Sequence, residues 1–350
     1  MKREFHAQLD IVNRPGHVQK GAVSFLLGAT PAPPTEMPDL AHFSDPLARL
    51  DLLAQALLTQ NKDYARAGSR REGGGLPQLY RSPAFQDALA ARRQQMAALG
   101  LLPTLPDLAA LPAGSFASHF TFTLRTPYIS KDDAGLHILD NPVRKDRVFG
   151  LPMIAATGWK GALRAALRQA HDWGDDHPDL LRLCGAARDD ETGQAGRLYF
   201  YPTFFTQLGL EVINPHDRQS NAGSQPIYFE SVPAGAQGEF ALLYAPLDRI
   251  NNEKADSVRQ LQALPEEVAK DLSLVVAGIE ALMTSTGFGA KTSNGYGTAE
   301  KEFVKDAQGK SQALIRVKAV GSYRCRSFAG LRQAAGMLSK TLREAAGGAP

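Results

Sequence analysis

The sequence predicts an α+β fold whose core has the ferredoxin-like, split βαβ arrangement. Residues 118–126 alternate polar with apolar side chains, which is typical of a half-buried strand. Two longer segments with apolar faces, 158–170 and 265–283, predict helices. From residue 117 onward the predicted order is strand, helix, strand, irregular hairpin, strand, helix and strand, which is the order that a ferredoxin-like sheet requires.

An extension precedes this core. Its predicted elements, in order, are strands at 5–11 and 18–27 and helices at 46–58 and 83–99. Residues 66–75 are basic and glycine-rich, which predicts a mobile loop that serves either as a solvated linker or as an RNA-contacting arm. The proline-rich residues 101–114 mark the boundary with the core.

The core and its C-terminal continuation follow this boundary. The predicted elements are strand 118–126, helix 158–170, strands 197–205 and 239–244, helix 265–283 and strand 297–304. The domain organisation is therefore expected to be an extension over 1–115, a core over 116–304, and a C-terminal strand and helix over 305–350.

Composition limits the class of protein without deciding its function. The formal net charge of +3 and the pI of about 8.8 permit nucleic-acid binding but do not require it. Cys184 and Cys325 are far apart, which argues against a disulfide framework or a thiolate zinc site and favours a reducing cytoplasm. The chain starts without a signal-peptide pattern, and no apolar run reaches the roughly 20 residues of a membrane span, so we expect a cytoplasmic protein that does not bind membranes.

Residues 287–297, which we call the glycine loop, predict a surface for a polyanion. Glycines permit positive φ and close approach, so that backbone N–H groups can converge on phosphate oxygens while a lysine supplies charge. The candidate residues are Gly287, Gly289, Lys291, Thr292, Ser293, Gly295, Tyr296 and Gly297.

Two better-known glycine loops are excluded here. A mononucleotide P-loop needs glycines where Ser285 and Ala290 stand, and a dinucleotide fingerprint needs a third glycine where Thr292 stands. The alternative to a phosphate-binding loop is a glycine-rich turn that closes a sheet.

The predicted helix at 158–170 carries a row of cations. Lys160, Arg164 and Arg168 recur every four residues, so they lie along one face of the helix, opposite its apolar face. Such a row is either a solvated surface or a phosphate-binding face.

The loop before this helix holds an imidazole and a carboxylate three residues apart. His137 can contact phosphate or shuttle a proton, and Asp140 can hold a divalent ion or a ribose hydroxyl. The alternative is a simple turn in which Asp140 accepts backbone N–H groups as an Asx cap.

The order of several short segments carries a family resemblance. These segments are Asp-Asn-Pro-Val-Arg-Lys-Asp at 140–146, Gly-Leu-Pro-Met-Ile at 150–154, Trp-Lys-Gly-Ala-Leu-Arg at 159–164, and the glycine loop. Further agreement comes from 196–200, 212–216 and 231–235. In this combination, over about residues 116–304, the chain resembles the RAMP superfamily of CRISPR-associated proteins, and within it the backbone subunits of type III effector complexes.

The resemblance implies an RRM-like version of the ferredoxin fold that holds guide RNA by its sugar-phosphate backbone. Lys160 and its helix would face guide phosphates together with the glycine loop, and Thr157 lies just before Lys160. The resemblance also implies a β-hairpin "thumb" at about 211–233 that wedges into the guide–target duplex. Its candidate RNA-contacting residues are Asn214, His216, Arg218, Tyr228 and Phe229, the two aromatics serving either to stack on bases or to pack.

The resemblance further implies that Asp140, through its Asp-x-Pro-Val pattern, cleaves target RNA with Mg²⁺ or Mn²⁺ by in-line attack of a 2′-hydroxyl. Two features differ from the cleaving pattern. Residues 155–158 read Ala-Ala-Thr-Gly where the family commonly has Pro-Gly-Ser-Ser, and the Asn-Pro-His run at 214–216 is similar to terminal, non-cleaving subunits.

The function expected from these features is a guide-RNA-binding subunit of a type III CRISPR ribonucleoprotein that also cuts the paired target RNA. Its partners would be guide RNA, complementary target RNA and other RAMP-type subunits. Two alternatives remain, namely a non-catalytic capping or structural subunit of the same complex, and a stand-alone guide-RNA-processing endoribonuclease that uses His137.

Overall fold

The computed structural model describes residues 10–56, 59–69, 74–132, 137–186, 193, 195–214, 226–249, 257–306, 308–311 and 313–347. Its contacts divide the chain into two compact units. The helical unit comprises Met1–Leu101, Ile129–Pro152 and Phe205–Pro233, and the sheet unit comprises Leu102–Tyr128, Met153–Phe204 and Ala234–Pro350. The contacts thus group the chain differently from the predicted domains 1–115, 116–304 and 305–350, whose boundaries remain a prediction.

The helices in chain order are α1 (Gly16–Leu26), α2 (Pro46–Ala56), α3 (Thr59–Ala67), α4 (Gly75–Arg81), α5 (Pro83–Ala98), α6 (Ala156–His171), α7 (Pro178–Cys184), α8 (Ser257–Ala281) and α9 (Phe328–Gly347). The strands are β1 (Phe116–Thr123), β2 (Met153–Ile154), β3 (Leu198–Phe200), β4 (Thr203–Phe204), β5 (Gly209–Ile213), β6 (Ile227–Ser231), β7 (Gln237–Tyr244), β8 (Ala313–Val317) and β9 (Gly321–Cys325).

The helical unit confirms the two predicted helices and corrects one predicted strand. Helices α2 and α5 occupy the expected positions, and α5 begins where the Ser82 hydroxyl accepts the Phe85 N–H at 3.3 Å. The strand expected at 18–27 is instead helix α1, because its buried Val18, Ala22 and Leu26 repeat every four residues. The strand expected at 5–11 lies largely outside the described residues.

The segment 66–75, predicted as a mobile loop, is largely ordered at its two ends. Arg66 lies in the last turn of α3, and Gly75 is the first residue of α4. The prediction of a loop was therefore wrong for Arg66, Ala67 and Gly75, which belong to helices α3 and α4. Residues 70–73 lie outside the described residues.

The hairpin expected as a thumb is present in the helical unit. Strands β5 and β6 pair antiparallel, from Gly209 opposite Ser231 to Ile213 opposite Ile227. The intervening residues 215–225 lie outside the described residues, and with them the candidates His216 and Arg218.

The sheet unit confirms the predicted fold class. Its five-stranded antiparallel sheet has the order β3-β7-β1-β8-β9. The connection from β1 through α6 to β3 skips the position of β7, and the connection from β7 through α8 to β8 skips that of β1. Two such connections in one sheet form the ferredoxin-like, split βαβ arrangement.

Three predicted elements of this unit differ in detail. The strand expected at 197–205 splits into β3 and β4 on either side of Pro202, which has no N–H for the sheet. The strand expected at 297–304 is not regular, although Glu300 and Val304 donate to the carbonyls of Thr123 and Thr121 at 2.8 and 3.1 Å. The strand that pairs with β1 on the side away from β7 is β8, and not the expected strand at 297–304. The C-terminal region therefore contributes two strands and a helix, where one strand and a helix were expected.

Both cysteines, Cys184 and Cys325, are free and buried. Within the described part of the chain, no helix combines the length and the apolar character needed to cross a membrane.

Candidate functional site

The glycine loop is anchored in the core of the sheet unit by its second residue. Phe288 is buried, and its ring lies 4.8 Å from that of Trp159 and 5.8 Å, edge to face, from that of Phe122. Trp159 in turn donates its indole N–H to the hydroxyl of Thr203 at 3.0 Å. The first turn of α6 and the root of the glycine loop therefore share one aromatic anchor.

The base of the loop is closed by its own backbone. The N–H of Phe288 donates to the carbonyl of Gly297, and the N–H of Gly297 donates to that of Pro127, both at 2.8 Å. Gly287 and Gly297 have φ of 79° and 71°, and a Cβ at Gly287 would lie 2.7 Å from the carbonyl oxygen of Tyr296. At its base the loop thus acts as the glycine-rich closing turn that was the alternative prediction.

The tip of the loop carries the polar groups. Lys291, Ser293 and Gly295 are exposed, while Thr292 and Tyr296 are half-buried. Lys291 adopts a left-handed conformation with φ of 60°, which is uncommon outside glycine. The charge and the hydroxyl predicted to meet a polyanion therefore lie on the surface, together with the exposed Gly289.

The three cations of α6 have different surroundings. Arg164 Nη2 donates to the Asp175 carbonyl at 2.9 Å, and Arg168 Nη1 lies 3.1 Å from an Asp175 carboxylate oxygen. Lys160, which is half-buried, makes no ion pair or hydrogen bond with any residue that the structure describes. Of the row, Lys160 is therefore the cation whose charge is available to a ligand.

The N-terminus of α6 adds backbone donors beside Lys160. No side chain caps this 16-residue helix, and Thr157 in its first turn is exposed. Uncapped N–H groups at a helix N-terminus favour anions. Thr157 is thus accessible to solvent beside these donors, and its RNA contact remains a prediction.

Asp140 lies in the helical unit and pairs with two cations of α3. Its Oδ2 is 2.7 Å from Arg66 Nη2, and its Oδ1 is 3.4 Å from Lys62 Nζ. The Asp140 side chain is 69% exposed, whereas that of Arg66 is 13% exposed. The partners of this carboxylate in the described residues are therefore side-chain cations rather than the backbone N–H groups of an Asx cap.

The donors around Asp140 do not fit a resident divalent ion. Among the described residues, no group of three His, Cys, Asp or Glu side chains is arranged to hold a metal. Magnesium and manganese sites use several oxygen ligands, whereas Asp140 offers one carboxylate that is already shared between a guanidinium and an ammonium group.

His137 and Asp140 line different clefts of the helical unit. His137 lines a cleft of about 830 Å³ together with Tyr80, Lys145 and Glu230, and Asp140 lines a second cleft of about 740 Å³. The intervening Ile138 and Leu139 are buried. The imidazole and the carboxylate, three residues apart in the sequence, are therefore not brought into one site.

A buried carboxylate organises the His137 cleft. Glu230 accepts the Tyr80 hydroxyl at 2.6 Å and the Val143 N–H at 3.0 Å, and it pairs with Lys145. Burial, and then the negative charge of Glu230, raise the pKa of the Tyr80 hydroxyl, so this phenol stays protonated as a donor. These contacts of Glu230 link the Asp140 loop to β6 and α4, so the role of Glu230 is structural.

The described thumb residues have different exposures. Asn214 is exposed just after β5, and Tyr228 is half-buried and lines the Asp140 cleft. Phe229 is buried, which favours packing over stacking on a base.

The sequence analysis did not identify Lys62, and it placed Arg66 only in the basic segment 66–75, as part of a solvated linker or an RNA-contacting arm. These two cations lie four residues apart in a segment with few apolar residues, and that spacing on a helix was the signal for a shared face. No local sequence pattern predicts their ion pairs with Asp140, which lies 74 residues beyond Arg66.

The chain is similar to several known proteins. A curated protein, the CRISPR system Cms endoribonuclease Csm3 of Enterococcus italicus, is 27% identical over 139 residues. The match covers 34% of this chain and 63% of the length of that relative.

Solved structures also show similarity. A structure of the Type III-B Cmr-beta bound to cognate target RNA has a TM-score of 0.44 at 14% identity, covering 83% of this chain and 98% of the other. A Csm3-Csm4 subcomplex of the type III-A CRISPR-Cas interference complex has a TM-score of 0.36 at 16% identity, covering 65% and 95%.

The sequence model of the RAMP superfamily matches residues 119–300, from β1 through the glycine loop. Since this match covers more than half of the chain, the protein belongs to the RAMP superfamily.

Proposed function

We propose that this protein is a guide-RNA-binding subunit of a type III CRISPR ribonucleoprotein. The observation that carries the proposal is Lys160, a cation without a partner in the described residues, on the helix turn that shares its aromatic anchor with the glycine loop. The partners proposed are guide RNA, complementary target RNA and other RAMP-type subunits. The name of the Csm3 relative and membership of the family support this choice.

Binding through phosphates follows from the chemistry of this surface. Lys160, Lys291 and the uncapped start of α6 supply charge and backbone donors, which suit phosphate oxygens. Arg164 and Arg168 are held by Asp175 and would add to binding by reorienting. Contacts of this kind do not read bases, so we expect affinity with little sequence preference and a strong dependence on salt.

We further propose that Asp140 supports one cut in the target RNA. In this reaction the 2′-oxygen attacks the adjacent phosphorus, the bond from phosphorus to the 5′-oxygen breaks, and the products are a 2′,3′-cyclic phosphate and a 5′-hydroxyl. Asp140 orients the 2′-hydroxyl and accepts its proton, and solvent protonates the leaving 5′-oxygen. Because the donors around Asp140 do not fit a resident metal, no step is assigned to one, and the cut is to be measured with and without Mg²⁺ and Mn²⁺.

A second candidate function is a non-catalytic subunit of the same complex. The ion pairs of Asp140 with Arg66 and Lys62 favour it, because a carboxylate held by two cations has a structural role without catalysis. The third alternative was a stand-alone guide-RNA-processing endoribonuclease that uses His137. Among the described residues no contact favours it, since His137 lines a different cleft from Asp140.

The binding proposal is tested by filter binding of single-stranded RNA at several salt concentrations. Lys160→Ala with Lys291→Ala should lower the affinity by more than tenfold and lower the slope of log affinity against log salt by about 1.4, because two phosphates are no longer neutralised. Arg332→Ala with Lys340→Ala removes two exposed cations of α9 and is the matched control. Salt-insensitive binding, or equal losses in both variants, would overturn the proposal.

A further inference from the structure

Helix α3 forms one wall of the cleft that contains Asp140, which we call the α3 cleft. Its volume of about 740 Å³ is in the range of small-ligand sites. The opposite wall comes from Pro226, Ile227 and Tyr228 at the start of the thumb strand β6. The cleft therefore lies where the N-terminal residues, the Asp140 loop and the thumb hairpin of the helical unit meet.

The charges at the α3 cleft favour an anion. Among the described residues, Lys20, Lys62 and Arg66 are within or beside it, and the carboxylates are Asp63 and Asp140. In this part of the chain, three cations against two carboxylates leave a positive excess. A single phosphodiester, which carries one negative charge, matches that excess.

Arg66 is held in position to receive such a group. Its Nε donates to the carbonyl of Ile138 at 3.1 Å, which fixes the plane of the guanidinium. Its Nη2 is buried and lies 2.7 Å from an Asp140 carboxylate oxygen. A guanidinium fixed in this way already has the orientation in which it can exchange the carboxylate for a phosphate oxygen at low entropic cost.

Aromatic and amide groups complete the cleft. Tyr64 is fixed by a 3.1 Å hydrogen bond between its hydroxyl and that of Ser24, and Lys20 lies 5.8 Å from its ring centre. Tyr228 adds a second half-buried ring on the thumb side, and Asn61 adds an amide. Aromatic rings beside cations are the usual means of holding single-stranded nucleic acid.

We propose that the α3 cleft is a binding subsite for single-stranded RNA, with Arg66 and Lys62 on a phosphodiester and an aromatic ring of the cleft against a base. The inference rests on the proposed function as an RNA-binding subunit. It extends that function to α3, which lies outside the family match at 119–300. The N-terminal residues thereby contribute directly to RNA recognition.

The test compares charge changes of opposite sign in the salt-dependence assay. Arg66→Gln with Lys62→Gln should weaken binding of single-stranded RNA by at least tenfold and reduce the salt slope by about 0.7 for each phosphate that is no longer neutralised. Asp140→Asn removes a negative charge from the same cleft and should tighten binding about threefold. The control is Arg14→Gln with Arg81→Gln, two exposed cations of the helical unit, which should leave both quantities unchanged.

The outcomes separate this inference from the proposed function. If the Lys160 and Lys291 variant loses affinity while the Arg66 and Lys62 variant matches its control, the function stands and the α3 subsite is wrong. If wild-type protein binds no RNA, both are wrong. Circular dichroism checks the fold of the Arg66 and Lys62 variant. Should it unfold, the Asp140→Asn result decides, since unchanged or weaker binding there also overturns the subsite.

Discussion

The N–H of Phe288 donates to the carbonyl of Gly297 at 2.8 Å, and this bond closes the glycine loop at the point where its aromatic anchor enters the core. A Cβ at Gly297 would overlap the carbonyl oxygen of Phe288. The two ends of the loop approach each other this closely because a glycine occupies the position.

Gly297→Ala should therefore destabilise the protein by about 3 kcal/mol or more, because it combines a positive φ of 71° with a backbone clash. Gly295→Ala is the matched control. Its φ of 84° is also positive, but no atom lies within 4 Å of the added Cβ, so its cost should be about 1 kcal/mol. Urea unfolding measures both, and equal costs would contradict the closing role of Gly297.

A second prediction concerns a carboxylate buried in the sheet unit. Asp271 is fully buried and accepts hydrogen bonds from Arg182 Nη2 at 2.5 Å and the Tyr244 hydroxyl at 2.7 Å. Asp271→Asn keeps the shape but leaves the Arg182 charge undercompensated, so we expect a loss of about 3 kcal/mol in the free energy of unfolding.

The control for Asp271 lies on the same helix. Glu266 pairs with Arg343 at 2.9 Å at the surface, and Glu266→Gln should change stability by less than about 0.5 kcal/mol. Similar losses of unfolding free energy in the two variants would mean that the buried contacts of Asp271 do not stabilise the protein more than a surface ion pair does.

The same region predicts how stability depends on pH. Burial alone would raise the pKa of Glu267, but hydrogen bonds from Arg197 and Arg249 outweigh it and hold this pKa below its usual value. Burial would also raise the pKa of Asp179, but hydrogen bonds from Lys270 and Arg182 outweigh it and lower this pKa. Since the folded state binds these protons less readily than the unfolded state, their stabilisation is complete above about pH 4.5 and is lost as the pH falls further.

Unfolding measured between pH 6 and pH 3 checks this dependence. Glu267→Gln removes one titrating group, so this variant should lose less stability over that range than the wild type. If the two proteins lose the same amount, Glu267 is not one of the groups responsible.

The sequence was sufficient for the family and the split βαβ order, because both depend on local patterns and on the order of segments. The sequence was misleading at 18–27, where residue types that favour strands coincide with apolar residues at helical spacing. The helical spacing decided the structure there. The sequence did not predict the ion pair between Arg66 and Asp140, because a contact between residues 74 positions apart depends on tertiary packing and leaves no local pattern. The separation of His137 from Asp140 has the same origin, since loop geometry, not spacing, decides which cleft a side chain lines.

The final prediction concerns catalysis by Asp140. In the assembled complex, Asp140→Ala and Asp140→Asn should both abolish one target cut without weakening RNA binding, because the carboxylate acts on the reacting hydroxyl and its negative charge does not hold the RNA. Loss of the exposed pair with Lys62 should cost no more than about 1 kcal/mol of stability, whereas the partner Arg66 is only 13% exposed, so urea unfolding of both variants checks that a lost cut is not due to unfolding.

Cut positions on labelled target RNA, with and without Mg²⁺ or Mn²⁺, measure this directly. Asp63→Ala is the matched control, because Asp63 is an exposed carboxylate of the same cleft with no proposed role in the reaction, and its ladder should be that of the wild type. An unchanged ladder in both Asp140 variants would mean that the ion pairs with Arg66 and Lys62 are the whole role of this carboxylate. The protein would then be the non-catalytic subunit, with the cation-bound Asp140 acting as a structural link between α3 and the thumb side of the helical unit.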